Sequence, residues 1–61
     1  MKPKCKLTGA DGNIFNLMGL ARKALREAGQ RELGEEMTNR VYGAKSYDQA
    51  LQIIMEYVEV E

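Results

Sequence analysis

The stretch KPKCKL, residues 2–7, alternates lysine with a smaller or apolar residue, and YVEVE, residues 57–61, alternates in the same way with glutamate. Period-two alternation marks a short, half-buried strand. Pro3 has no N–H to donate, so it permits only an edge or a strand start. A lone strand leaves its backbone groups without partners. One segment shows lysines on its outer side and the other glutamates, and cross-strand pairs of opposite charge contribute about 0.2–1 kcal/mol each. The two termini are therefore expected to pair with each other, and helices between them allow either direction. This reading gives an α+β fold: a short N-terminal strand, three helices and a short C-terminal strand, with the termini in a two-stranded sheet. Residues 1–61 are expected to form a single small domain.

The helices follow from apolar spacing. The first runs from about Asn13 to Ala28, with apolar residues at 14, 17, 18, 21, 24, 25 and 28. Asn13 is a good N-cap, and Gly29 is a natural residue just past the end. The second spans roughly Gln30 to Tyr42. Its stripe of Leu33, Met37 and Val41 is narrow, so it should lie on the surface and end before Gly43. The third starts at Ser46, where Ser46-Tyr47-Asp48-Gln49 fits a capping box. Tyr47, Ala50, Leu51, Ile53, Ile54, Met55 and Tyr57 then cover more than half its circumference, which makes it the expected centre of the core.

Glycines inside helices need a reason, because each costs about 1 kcal/mol relative to alanine. Close approach of another element is expected at Gly19 and at Gly34, with a break in the second helix as the alternative at Gly34. Glu35 and Glu36 point about 100° apart on a helix, so they are read as a solvated face, with Glu36 pairing Arg40 one turn on.

Composition limits the function. A chain of 61 residues buries only about 60% of its unfolded surface, so a stability of about 5 kcal/mol or less is expected. Its 44% hydrophobic and 30% charged residues suit a folded domain. No apolar run approaches the roughly 18 residues of a membrane span. Met1-Lys2-Pro3-Lys4 leads into no apolar signal segment, so a cytoplasmic location is expected. The single cysteine, Cys5, allows neither an internal disulfide nor a cysteine-based zinc site and reads as a small buried group. The chain has no histidine or tryptophan. Its carboxylates, lysines and tyrosines show no catalytic spacing, so no enzyme activity, metal, cofactor or small-molecule ligand is expected.

The formal charge is zero but unevenly spread. Residues 1–31 carry seven Lys/Arg against two acids, and residues 32–61 carry two against seven. Either the halves neutralise one another on packing, or a basic face of Lys4, Lys6, Arg22, Lys23 and Arg26 stays free for an anionic partner.

Between the first strand and the first helix lies LTGADGNIF, residues 7–15. Asp11-Gly12 is a common turn pair, Gly accepting positive φ and Asp bonding to nearby amides. Asn13 then caps the helix. Amides beside a helix N-terminus can hold an anion, but phosphate loops usually add a Lys or Arg, and none stands here. Gly9, Asp11, Gly12, Asn13 and Ser46 are therefore read as turn and cap residues. Phe15 lies off the apolar stripe, on the side of Arg22 and Arg26. An aromatic beside arginines can serve a single-stranded nucleic acid. Burial under the preceding strand or the paired termini is the expectation, and by it Phe15→Ala costs about 3–5 kcal/mol.

The run from Leu7 to Gly19, with Ala24-Leu25…Ala28-Gly29 and Ser46-Tyr47-Asp48…Leu51, is similar to a family of short bacterial proteins associated with phages, plasmids and other mobile elements. Members share a G-x-D-G-N-x-F-x-L-x-G start and a Tyr-Asp or Asp-Tyr pair before the last helix. The resemblance covers nearly the whole chain. It implies no activity and no functional residues, only the context of a small cytoplasmic accessory protein.

Two functions are left from different classes. The first is a protein-interaction module, including self-association as a homodimer, since a small core and open sheet edges invite a second chain. The second is a nucleic-acid-binding accessory protein using the basic N-terminal half. Steeply salt-dependent oligonucleotide binding would favour the second. A helix-turn-helix reader is rejected, because the second helix presents Glu32, Glu35 and Glu36 to phosphates.

Overall fold

A computed structural model of the chain describes residues 1–61. The order is β1 (Lys4–Cys5), α1 (Ile14–Glu27), α2 (Arg31–Tyr42), α3 (Tyr47–Tyr57) and β2 (Glu59–Val60). The termini pair in a two-stranded parallel sheet, with Lys4 opposite Glu59 and Cys5 opposite Val60. The register sets one lysine beside one glutamate, as the complementarity of the two segments predicts, but no ion pair forms between the strands. Parallel strands need a long crossover, and the three helices supply it. Regular strand is shorter than the alternation, but backbone bonding extends past it. Glu59 N donates to Pro3 O at 2.8 Å, Glu61 N to Cys5 O at 3.0 Å, and both Leu7 N and Thr8 N to Glu61 O at 3.2 Å. Pro3 takes part through its carbonyl, which needs no N–H.

Local chemistry fixes the helix ends. The Asn13 side chain accepts from Phe15 N at 2.9 Å, and Asp11 Oδ1 accepts from Asn13 N at 2.9 Å. Gly12 does not take the positive φ expected of it; Gly9 does, at +83°. Asp11 makes its turn without a left-handed neighbour, because its carboxylate already holds the Asn13 amide. At the far end of α1, Gly29 is left-handed at φ +77°. Gln30 N donates to Leu25 O at 2.8 Å and Gly29 N to Arg26 O at 3.1 Å, the Schellman pattern. Ser46 caps α3 by accepting from Gln49 N at 3.0 Å, while Gln49 Oε1 accepts from Lys45 N at 2.8 Å. The capping box is therefore shifted by one residue on its return bond. Each cap is worth about 0.5–2 kcal/mol. Asn13→Ala should accordingly lower the unfolding free energy by that amount, read as a lower urea midpoint with an unchanged slope in an equilibrium unfolding curve.

The core is one cluster. Leu17, Met18, Ala21 and Leu25 of α1 meet Met37 and Val41 of α2 and Ala50, Ile53, Ile54 and Tyr57 of α3, with Cys5, Leu7 and Val58 closing it beside the sheet. Burial pushes the Cys5 thiol above its ordinary pKa, with the Glu61 carboxylate adding to the effect. Three sequence expectations need correction. On α3 the buried stripe is narrower than expected, since Tyr47 and Met55 are exposed. On α2 Leu33 is exposed, and the buried Gly34 takes its place in the stripe. A Cβ on Gly34 would lie 3.4 Å from Arg22 Cγ and 3.7 Å from Leu25 Cβ, so close helix approach explains that glycine. It does not explain Gly19, where an added Cβ would meet nothing within 4 Å. No helix is long and apolar enough to cross a membrane.

Candidate functional site

The three-residue connection from Ala28 to Gln30 turns α2 back antiparallel to α1, and the side chains at the two ends record it. Phe15 near the start of α1 meets Tyr42, the last residue of α2, with ring centroids 6.0 Å apart and planes tilted by 45°. Arg22 and Arg26 from the second half of α1 share a cleft with Arg31 and Glu35 at the start of α2.

At the aromatic end the expected burial of Phe15 is overturned. Phe15 is 59% exposed, Tyr42 65% and Tyr47 51%. The strand that was expected to cover Phe15 sends Cys5 and Leu7 into the common core instead, which leaves the first turn of α1 open on its other side. Three of the chain's four aromatic side chains thus stand around one cleft of about 350 Å³. Ile14, Val41, Ala44 and Ala50 form its apolar floor, and Lys45 stands at its rim. The Tyr47 hydroxyl donates to the carbonyl of Gly12, which ties α3 to the loop before α1.

At the other end the cleft encloses about 170 Å³ and is lined by three guanidinium groups and one carboxylate. The chain's one ion pair joins Arg40 to Glu56, so none of these four groups is paired. Three cations against one acid leave the cleft net positive. Like charges gathered without partners repel, and an anion placed among them relieves that cost.

The structure brings together only part of the basic set read from the sequence. Arg22 and Arg26 line the cleft, and Lys23 is exposed on α1 outside it. Lys4 faces Glu59 across the sheet, and Lys6 is exposed just beyond β1. Arg31 was missed, although 22/26 and 31/35 are both one-turn spacings flanking the Gly29 turn. Tyr42 and Tyr47 were also missed as surface groups. In the loop of residues 9–13, the amides of Asn13 and Phe15 are taken by Asp11 and Asn13 side chains, and Asn16 Nδ2 donates to Asp11 O at 2.8 Å. Those donors serve the turn.

The acids at 35 and 36 also depart from expectation. Arg40 does not pair with Glu36 directly. Its guanidinium makes a two-pronged bond to Glu56, at 2.7 and 3.2 Å, donates to the Tyr57 hydroxyl at 3.1 Å, and lies 5.6 Å from that ring's centroid. The Tyr57 hydroxyl in turn donates to Glu36, which raises the Tyr57 pKa. A planar fork fits a carboxylate better than a single contact would, so the long-range partner wins over the helical neighbour. No group of three His, Cys, Asp or Glu side chains comes together as a metal site would require.

The Arg40 hydrogen bond holds the Glu56 carboxyl below the ordinary glutamate value near 4.5. A depressed folded pKa gives stability that is fully present above the unfolded value and is lost as pH falls through the folded one. Denaturant midpoints followed downward from neutral pH should therefore begin to fall near pH 4.5, and Glu56→Gln should flatten that limb. An equal acid slope in both proteins would contradict the pairing.

Comparison with known protein families, with curated proteins and with solved structures finds no match to this chain.

Proposed function

We propose that this chain is a small protein-interaction module that docks a partner protein on the outer face of the α1–α2 hairpin. The observation that carries the reading is the exposed aromatic cluster of Phe15, Tyr42 and Tyr47 over an apolar cleft. In so small a chain an aromatic side chain is its largest source of buried apolar area. Leaving three of four outside the core forgoes that stability in the free monomer. Burial by another chain recovers it, and aromatic residues are enriched at the centres of interfaces for this reason.

Selection of random peptides displayed on phage against the immobilised protein tests the reading. Peptides with an aromatic or aliphatic anchor should be recovered on the wild type and lost on a Phe15→Ala/Tyr42→Ala variant that still folds. Recovery that does not distinguish the two proteins would overturn it.

The competing function is nucleic-acid binding, which draws support from the unpaired Arg22, Arg26 and Arg31. Against it, Glu35 stands inside that cleft and the chain as a whole carries no net charge. A phosphate backbone needs a continuous positive track.

A further inference from the structure

Gly19 has no structural explanation in the free chain. It lies mid-helix, is exposed, and could carry a side chain without meeting anything within 4 Å. Its position gives the explanation. At 100° per residue, Phe15, Gly19, Arg22 and Arg26 fall within about 60° of one another on α1. Arg31, Glu35, Thr38 and Tyr42 do the same on α2, which runs back alongside. The hairpin face therefore has aromatic rings at one end, guanidinium groups at the other, and between them Gly19 and the half-buried Thr38. The Thr38 hydroxyl is turned down to the Gly34 carbonyl at 2.8 Å. The middle of the face is bare of large side chains.

Resting on the interaction reading above, we infer that this face recognises an extended acidic peptide of a different protein. An apolar side chain of the partner packs against Phe15 and Tyr42, the partner's backbone passes close over Gly19, and its Asp or Glu carboxylates meet Arg22, Arg26 and Arg31. The spacing follows from helix geometry. Seven to eleven residues of α1 separate Phe15 from the arginines, a rise of roughly 10–17 Å. An extended strand covers that distance in about three to five residues.

Charge complementarity selects the occupant. A second copy presenting this same face offers Glu35 as its only carboxylate against three arginines of its own, so either way round it leaves the arginines uncompensated. A nucleic acid would carry phosphates along the whole trough, past the apolar end as well as the basic one. An acidic peptide with one apolar anchor places its charge only where the arginines are.

The phage selection above, repeated with three variants, decides the matter. Recovered peptides should carry Asp or Glu about three to five positions from the anchor, on one side of it. A synthetic copy of the strongest should lose about tenfold or more in affinity on Arg26→Ala/Arg31→Glu. Glu at position 31 suits the positive end of α2, so this variant should fold. Gly19→Leu should raise the melting temperature, leucine being the better helix former, and yet abolish binding. Anchored peptides that lack the acids, or that bind the charge variant equally well, would overturn this inference and leave the apolar docking site standing. Recovery that does not distinguish Phe15→Ala/Tyr42→Ala from the wild type would overturn both. Tighter binding of a thymidine oligonucleotide than of the selected peptide, lost on Arg26→Ala/Arg31→Glu, would overturn the choice of partner. A dimer by light scattering that Phe15→Ala converts to monomer would do so too.

Discussion

Replacing Ile54 with alanine should leave the domain largely unfolded at room temperature. Ile54 has no exposed surface and belongs, from α3, to the single core cluster that draws side chains from all three helices. Truncating a buried isoleucine to alanine costs about 2–5 kcal/mol, the transfer energy of the lost carbons plus the cavity they leave. A chain of 61 residues has about 5 kcal/mol or less to lose. Leu25 and Met37, equally enclosed, should behave alike. Far-ultraviolet circular dichroism and a urea titration measure the effect. A variant with native helicity and a cooperative transition near that of the wild type would mean that the core lies elsewhere.

Phe15→Ala should do the opposite: keep the fold and lose the partner. The ring is more than half exposed and touches Tyr42 at the surface, so its removal should cost about 1 kcal/mol or less. That corresponds to a shift of at most roughly 4–8 °C in the thermal midpoint of a domain this size. An interface anchor of this type is worth about 2 kcal/mol or more in binding, about a thirtyfold loss in affinity for a selected peptide. Calorimetric titration of the folded variant reads the second effect directly. Collapse of the fold would restore the expectation that Phe15 is core.

The contrast between Ile54 and Phe15 shows what the sequence could disclose. Ile54 belongs to an apolar periodicity that persists over three turns, and such a signal is local. The caps at Asn13 and Ser46, the left-handed Gly29 and the charge match between the terminal strands were legible for the same reason. Each needs only its neighbours, or a simple complementarity between two ends. Strand direction was not legible, because the alternation reads the same either way and the connection sets the outcome.

Phe15 was misread on a question of long-range packing. The helical wheel placed it off the stripe correctly, but the strand expected to cover it lies on the core instead. Gly19 was misread because a glycine marks an open space as readily as a close contact. Arg40 shows the same limit, its helical neighbour Glu36 yielding to Glu56 on another helix. The arginine cleft needed Arg31, which only the α1–α2 turn brings beside Arg22 and Arg26.

Amide chemical shifts of the labelled protein, followed while a selected peptide is added, test most directly where a partner docks. Shifts confined to the α1–α2 face and the aromatic cleft at its end, at Phe15, Gly19, Arg22, Arg26, Arg31, Thr38, Tyr42 and Tyr47, are the expected result. Shifts centred on Lys4, Lys6 and the edge at Val60, with that face unmoved, would contradict it.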